Sequence, residues 1–161
     1  MLRIFVTGGT FDKVHDPLRE CLAFGKTHIP EMLGIGRNTG SITVEELMLV
    51  DSLEMTDEQR NKILEKCRDC DENRAVITHG TSTMVETARL LGEKVKGKTI
   101  VLTGAMVPHS VKNSDATFNL AYALGAAQSL PEGVYIAMNG RVFSWDNVRK
   151  MPETGKFAEA K

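Results

Sequence analysis

Disulfides, long apolar runs and a dominant charge are what this chain lacks. Three cysteines in 161 residues, an odd number, argue against a disulfide framework. Lysine plus arginine and aspartate plus glutamate nearly cancel, giving a net charge of -1. With both signs interspersed there is no basic stripe and no acidic tail, so neither nucleic acid nor a membrane surface is an expected partner. No apolar run reaches membrane-spanning length, and Met1–Val6 is too short for the core of a secretory signal. A cytoplasmic protein is the resulting expectation. Repeats and low-complexity segments are also missing. The Cys67-Arg68-Asp69-Cys70 pair falls near the C-terminal end of a predicted helix, where the dipole disfavours thiolate, whereas redox pairs use helix N-termini. Two further ligands at zinc-site spacing are absent around it, so neither a metal nor a cofactor is expected.

What is present is an alternation of apolar runs and amphipathic stretches over a length suited to one domain, 1–161, burying roughly two-thirds of its unfolded surface. Leu2–Val6, Val44–Val50, Ala75–Ile77, Thr99–Leu102 and Val134–Met138 read as strands. Glu45 and Glu46 make the second less apolar and suggest the sheet edge. Helices are predicted after Thr56 and Thr83, each with a capping-box partner three residues on (Gln59, Glu86), and from Ser114 as N-cap to about Gln128. Asn139-Gly140 predicts a hairpin returning through Arg141–Trp145. Phe11–Ser41, with two prolines and one short helix around Pro30–Ile35, is expected to be a long and mobile loop. Pro152–Lys161 is expected to fray or dock on another subunit. Strands separated by helices imply right-handed parallel βαβ units. The fold class is therefore α/β, a three-layer sandwich with a mainly parallel, doubly wound, Rossmann-like or flavodoxin-like sheet.

The chemistry collects at strand ends. Ala75–Ile77 runs into Thr78-His79-Gly80-Thr81-Ser82-Thr83 just before a helix, where free N–H groups and the helix dipole favour anions. Three strands end in glycine beside threonine: Thr7-Gly8-Gly9-Thr10, Gly80-Thr81 and Thr103-Gly104-Ala105. Glycine permits close approach of a ligand to the main chain, so one shared pocket explains the recurrence better than three unrelated turns. His79 reads as a hydrogen-bonded strand-end histidine without a carboxylate beside it.

Thr7-Gly8-Gly9-Thr10, Asp51-Ser52 with Met55, His79-Gly80-Thr81-Ser82-Thr83-Met84 and Leu102-Thr103-Gly104-Ala105-Met106 resemble the signature blocks of the bacterial-type asparaginase and glutaminase family, and Ser114-Asp115-Ala116 with Phe118-Asn119-Leu120 extends the match. The resemblance spans nearly the whole chain but only the family's N-terminal domain, as in its single-domain asparaginase-like subgroup. It implies a threonine-dependent amidohydrolase that releases ammonia from asparagine or a related small amide. By motif, Thr10 corresponds to the nucleophile, Thr81 to a second catalytic threonine and Lys150 to its lysine partner. Ser52 corresponds to the serine that holds the substrate α-carboxylate. Gly80 and Ser82 flank Thr81, and the backbone around Ala105 corresponds to the segment contacting the amide. A lysine can serve as base only if burial lowers its pKa.

Two departures from the family pattern imply weakened or altered activity. Ser82 stands where aspartate usually binds the α-ammonium, and Leu53 replaces a more usual polar residue. In two-domain relatives a neighbouring subunit's C-terminal domain helps to close the site, so a homo-oligomer is expected here. Two other readings stay open. One is a noncatalytic small-molecule binding or regulatory domain. The other is a nucleotide-dependent enzyme, suggested by Val6–Thr10 but opposed by Phe11 and Asp12 at the place of the last glycine.

Overall fold

A computed structural model of the chain describes residues 1–161. β1 (Leu2–Gly8) is the pivot of a six-stranded sheet, with β4 (Ile42–Val50) on one side and β5 (Arg74–Thr78), β6 (Thr99–Thr103), β7 (Gly133–Met138) and β8 (Arg141–Ser144) on the other, in the order β4-β1-β5-β6-β7-β8. The first five are mutually parallel and β8 is antiparallel. Counting only the parallel strands, the order is second-first-third-fourth-fifth, the flavodoxin-like winding. In that winding the connections leave in opposite directions between the first and third strands, and ligands bind in the crevice so formed. Here that crevice lies beyond Gly8 and Thr78.

Alternation along the strands sorts the core into two faces. Phe5, Ala75, Ile77, Ile100, Leu102 and Ile136 pack against α2 (Asp57–Asp69) and α3 (Met84–Lys94), while Ile4, Val6, Val76, Val101 and Ala137 pack against α1 (Ile29–Ile35) and α4 (Ala116–Ser129). The expected three layers follow, and β4 is an edge strand as its two glutamates suggest. The Asn139-Gly140 turn takes positive φ at both residues (56° and 71°) and returns β8 beside β7.

Several local expectations need correction. Phe11–Ser41 is not one long loop. A 3-10 turn (Thr10–Asp12) leads into a hairpin of β2 (Lys13–Asp16) and β3 (Cys21–Phe24), closed by Asp16, whose carboxylate accepts from the Leu18 and Arg19 amides. The hairpin carries no alternating apolar pattern because it packs little of itself into the core. The C-terminal residues do not fray. β9 (Arg149–Lys150) pairs with β10 (Phe157–Ala158), and the Phe157 ring, 4% exposed, inserts into the chain's own core. One aromatic outweighs the polar residues around it.

The helix starts differ as well. At Thr56 both capping-box bonds form, 2.9 Å and 3.2 Å. At Thr83 neither does, because its hydroxyl donates to the Ser52 carbonyl at 2.8 Å and accepts from Arg60. Glu86 pairs with Arg60 instead of reaching back to the cap. α4 begins one residue later than expected, with Asp115 at the N-cap position and the Ser114 hydroxyl accepting from the Ala116 amide.

Candidate active site

Four strand ends converge at the crevice, fastened by backbone contacts that no side chain could share. Gly9 (φ +73°) lies so close to Gly80 that a Cβ on it would sit 2.5 Å from the Gly80 Cα. A Cβ on Gly80 would in turn sit 2.4 Å from the Ser52 hydroxyl. Real Cβ atoms never approach so closely, so these positions need glycine. The turn after β1, the turn after β5 and the Asp51-Ser52 turn after β4 are therefore in direct contact. Thr10 and Thr81 each follow one of the touching glycines.

Thr81 is buried and Lys150 partly buried, and Lys150 Nζ lies 2.8 Å from the Thr81 hydroxyl. The pair comes from opposite ends of the chain: Thr81 from the β5 exit, Lys150 from β9, whose pairing with β10 and the buried Phe157 hold the lysine over the crevice. Loss of hydration lowers the Lys150 pKa from the ordinary 10.5. No carboxylate pairs with its ammonium to raise it again. The Thr81 hydroxyl also faces the Met106 sulfur at 3.6 Å, a weak acceptor that leaves its proton free to turn toward a neutral amine.

Ser52 is buried and its carbonyl is held by Thr83. Thr83 is itself gripped by Arg60, which also reaches the Thr87 hydroxyl at 3.0 Å. That hydroxyl lies 2.9 Å from His79 Nε2, and His79 Nδ1 lies 2.8 Å from the Gly80 carbonyl. Filling each donor once puts the ring proton on Nδ1. Complete burial pushes the His79 pKa down to about 4, so the ring is neutral and serves to fix Gly80. Its expected structural part matches this arrangement.

The Ala105 segment is held equally firmly. The Asp115 carboxylate accepts from the Met106 and Val107 amides (3.0 and 2.9 Å), and Asn119 bridges from Asp115 to the Gly104 carbonyl (3.0 and 2.9 Å). Asp51 ion-pairs with Lys13 at 2.6 Å, tying the hairpin to the Ser52 turn.

A cleft of about 520 Å³ opens above these groups, bordered by Ser82, Met106, Lys150, Glu153 and Gly155. Ser82 is exposed on it. The Thr10 hydroxyl is partly buried and makes no hydrogen bond to Thr81 or Lys150. Met106 reaches the cleft at the end of its strand-end block, whereas sequence reasoning missed Glu153. Nothing local marks Glu153, which reaches the cleft only because the β9–β10 turn folds over it; the Asp115–Asn119 spacing, by contrast, was a readable sign of a side-chain pair at the head of α4.

Residues 1–158 match the family profile described as Asparaginase, N-terminal. The probable periplasmic L-asparaginase of Haemophilus influenzae is 37% identical over 134 residues, covering 78% of this chain and 37% of that protein. L-asparaginase 2 of Escherichia coli is 31% identical over 163 residues, covering 95% of this chain and 47% of that protein. Among solved structures, the thermostable L-asparaginase from Thermococcus kodakarensis superposes with a TM-score of 0.85 at 29% identity, over 98% of this chain and 50% of that one. The probable cytoplasmic L-asparaginase from Campylobacter jejuni gives 0.84 at 28%, over 98% and 52%. The chain spans less than half the length of these two curated relatives.

Proposed function

Since the chain belongs to the asparaginase family through its N-terminal domain, we propose that it is a threonine-dependent amidohydrolase acting on a small amide. The observation that carries this reading is the 2.8 Å contact between Thr81 and a partly buried lysine of lowered pKa. In the proposed reaction the Thr10 hydroxyl attacks the amide carbon and its proton passes through Thr81 to neutral Lys150. Main-chain N–H groups around Ala105 and Gly80 stabilise the oxyanion. The proton returns to the leaving nitrogen, ammonia departs, and water repeats the attack on the threonyl ester to release the acid. Ser52 orients the substrate carboxylate. No cofactor is needed by this scheme. A cytoplasmic setting is part of the reading and is compatible with three free thiols; no helix is long and apolar enough to cross a membrane.

Ammonia release from asparagine, glutamine and amides without an α-amino group tests the reading, and release from at least one of them is expected. Ser82 sets the preference within the panel. Its hydroxyl accepts one hydrogen bond from an α-ammonium but does not neutralise it, so Ser82→Asp should improve asparagine binding by about tenfold to a hundredfold, equivalent to a charge-assisted bond of roughly 1.5–3 kcal/mol. A carboxylate so near Lys150 would also favour its ammonium and slow the chemical step. Separate measurement of the dissociation constant and of turnover distinguishes the two effects. Unchanged asparagine affinity in a folded variant would remove Ser82 from the α-amino subsite.

The binding-module alternative draws on the same Ser82 and on the open cleft, and it predicts ligand affinity without turnover. The nucleotide reading has less support, since the turn after β1 enters a hairpin instead of the helix N-terminus that a diphosphate would use. We further propose a homo-oligomer in which a second copy covers the cleft. Light scattering at micromolar concentration should give a mass above one chain, and a monomer would contradict it.

A further inference from the structure

Away from the crevice, His28, Glu31 and His109 bring three ligand atoms within 4.8 Å of one another. We propose that these residues form a binding site for a divalent transition-metal cation of the zinc class. His28 stands just before α1 and Glu31 one turn later, so both face the same way, with His28 Nδ1 3.1 Å from the Glu31 carboxylate. His109 arrives from the loop between β6 and α4, its ring centre 5.2 Å from that of His28. The His109 Nδ1 lies 3.5 Å from the Thr117 hydroxyl, which leaves Nε2 for a metal. Tetrahedral zinc with nitrogen and oxygen ligands at about 2.0–2.2 Å separates neighbouring ligand atoms by about 3.4 Å. The ligand atoms, within 4.8 Å of one another, must draw together by up to about 1.4 Å to reach that spacing, and the Glu31 side chain, 59% exposed, has room to move.

A second observation points the same way. Metal-bound imidazoles generally donate the other ring N–H to a carboxylate or carbonyl. His28 Nε2 is buried without a hydrogen-bond partner, and both oxygens of the Asp12 carboxylate, in a fully buried residue, are likewise unpartnered. The two residues are neighbours: the His28 amide and the Thr27 hydroxyl lie next to the Asp12 carboxylate, short of good hydrogen-bond geometry. A cation on Nδ1 would place the ring proton on Nε2, in the same buried neighbourhood as the Asp12 carboxyl, whose two oxygens have no partner in good hydrogen-bond geometry. Two histidines and one carboxylate suit zinc, cobalt or nickel better than magnesium or calcium, which prefer all-oxygen shells. Three protein ligands leave one position for water. The cation would join the Thr10–Ile35 segment to the loop that carries Ala105 and Met106, two walls now linked by the bond from the Ser110 hydroxyl to the Lys13 carbonyl.

Calorimetric titration of the chelator-treated full chain with zinc chloride near neutral pH tests the site. One cation per chain is expected, with at least about a tenfold loss of affinity in both His109→Ala and Glu31→Gln. Glu31 is a surface side chain, so the second variant stays informative if the first unfolds. Cobalt substitution gives an independent readout: absorption without a thiolate-to-metal band is expected, and Cys21→Ser and Cys70→Ser should bind as the parent does. Absence of saturable zinc binding, affinity indifferent to His109 and Glu31, or a thiolate band would each overturn the proposal.

Discussion

Replacing Lys150 by methionine should lower the rate of ammonia release by about a hundredfold to ten-thousandfold, the usual contribution of a positioned base. Methionine keeps most of the aliphatic stem of this β9 residue but has no amine. Thr81 would then retain its contact with Met106 and lose the amine that lies 2.8 Å from its hydroxyl. The pH profile supplies a signature that loss of packing does not. Burial disfavours the Lys150 ammonium, so the neutral amine accumulates as pH rises through a pKa below 10.5. The parent's kcat/KM should rise with pH over that range, and the rising limb should vanish in Lys150→Met. A variant that keeps the limb, or a rate within a few-fold of the parent, would move the base elsewhere.

Acid should unfold the protein through His79. Its folded pKa of about 4 lies below the ordinary 6.5, so between those values the unfolded chain binds a proton that the folded chain does not. The sign follows: stability is intact above about pH 6.5 and declines as pH falls toward 4. The shift corresponds to a loss on the order of 3 kcal/mol, a large share of a domain's stability. A charged ring could no longer accept from Thr87 and would stand near Arg60. Urea denaturation from pH 7 down to 4 measures the loss, with His79→Gln as control because every carboxylate contribution is common to both proteins. The variant starts less stable and should decline less steeply. Equal slopes would show that His79 does not carry the acid sensitivity.

The layer order was legible because it depends on short, continuous apolar runs separated by amphipathic stretches. Ile100–Leu102 or Val134–Met138 can be buried only inside a sheet covered on both faces, and Asn139-Gly140 can only turn. The hairpin of β2 and β3 and the β9–β10 ribbon were not, since each is stabilised by a few tertiary contacts such as Lys13 with Asp51 or Phe157 in the core. Thr83 shows the same limit from the other side. Its local pattern favours a capping box, but the Ser52 carbonyl and the buried Arg60 compete for the one hydroxyl and win. The meeting of the strand ends that carry Thr10, Thr81, Ser52 and Ala105 was readable because each follows a strand with its motif. Glu153 reaches the cleft, and His28 reaches His109, through folding of distant segments, and no spacing rule joins them.

Side-by-side ammonia release by the parent chain and by Thr10→Ala, across asparagine, glutamine and amides without an α-amino group, tests the central claim most directly. The account predicts release by the parent from at least one amide and a background rate from Thr10→Ala with all of them. A parent no faster than Thr10→Ala across the whole panel would contradict it.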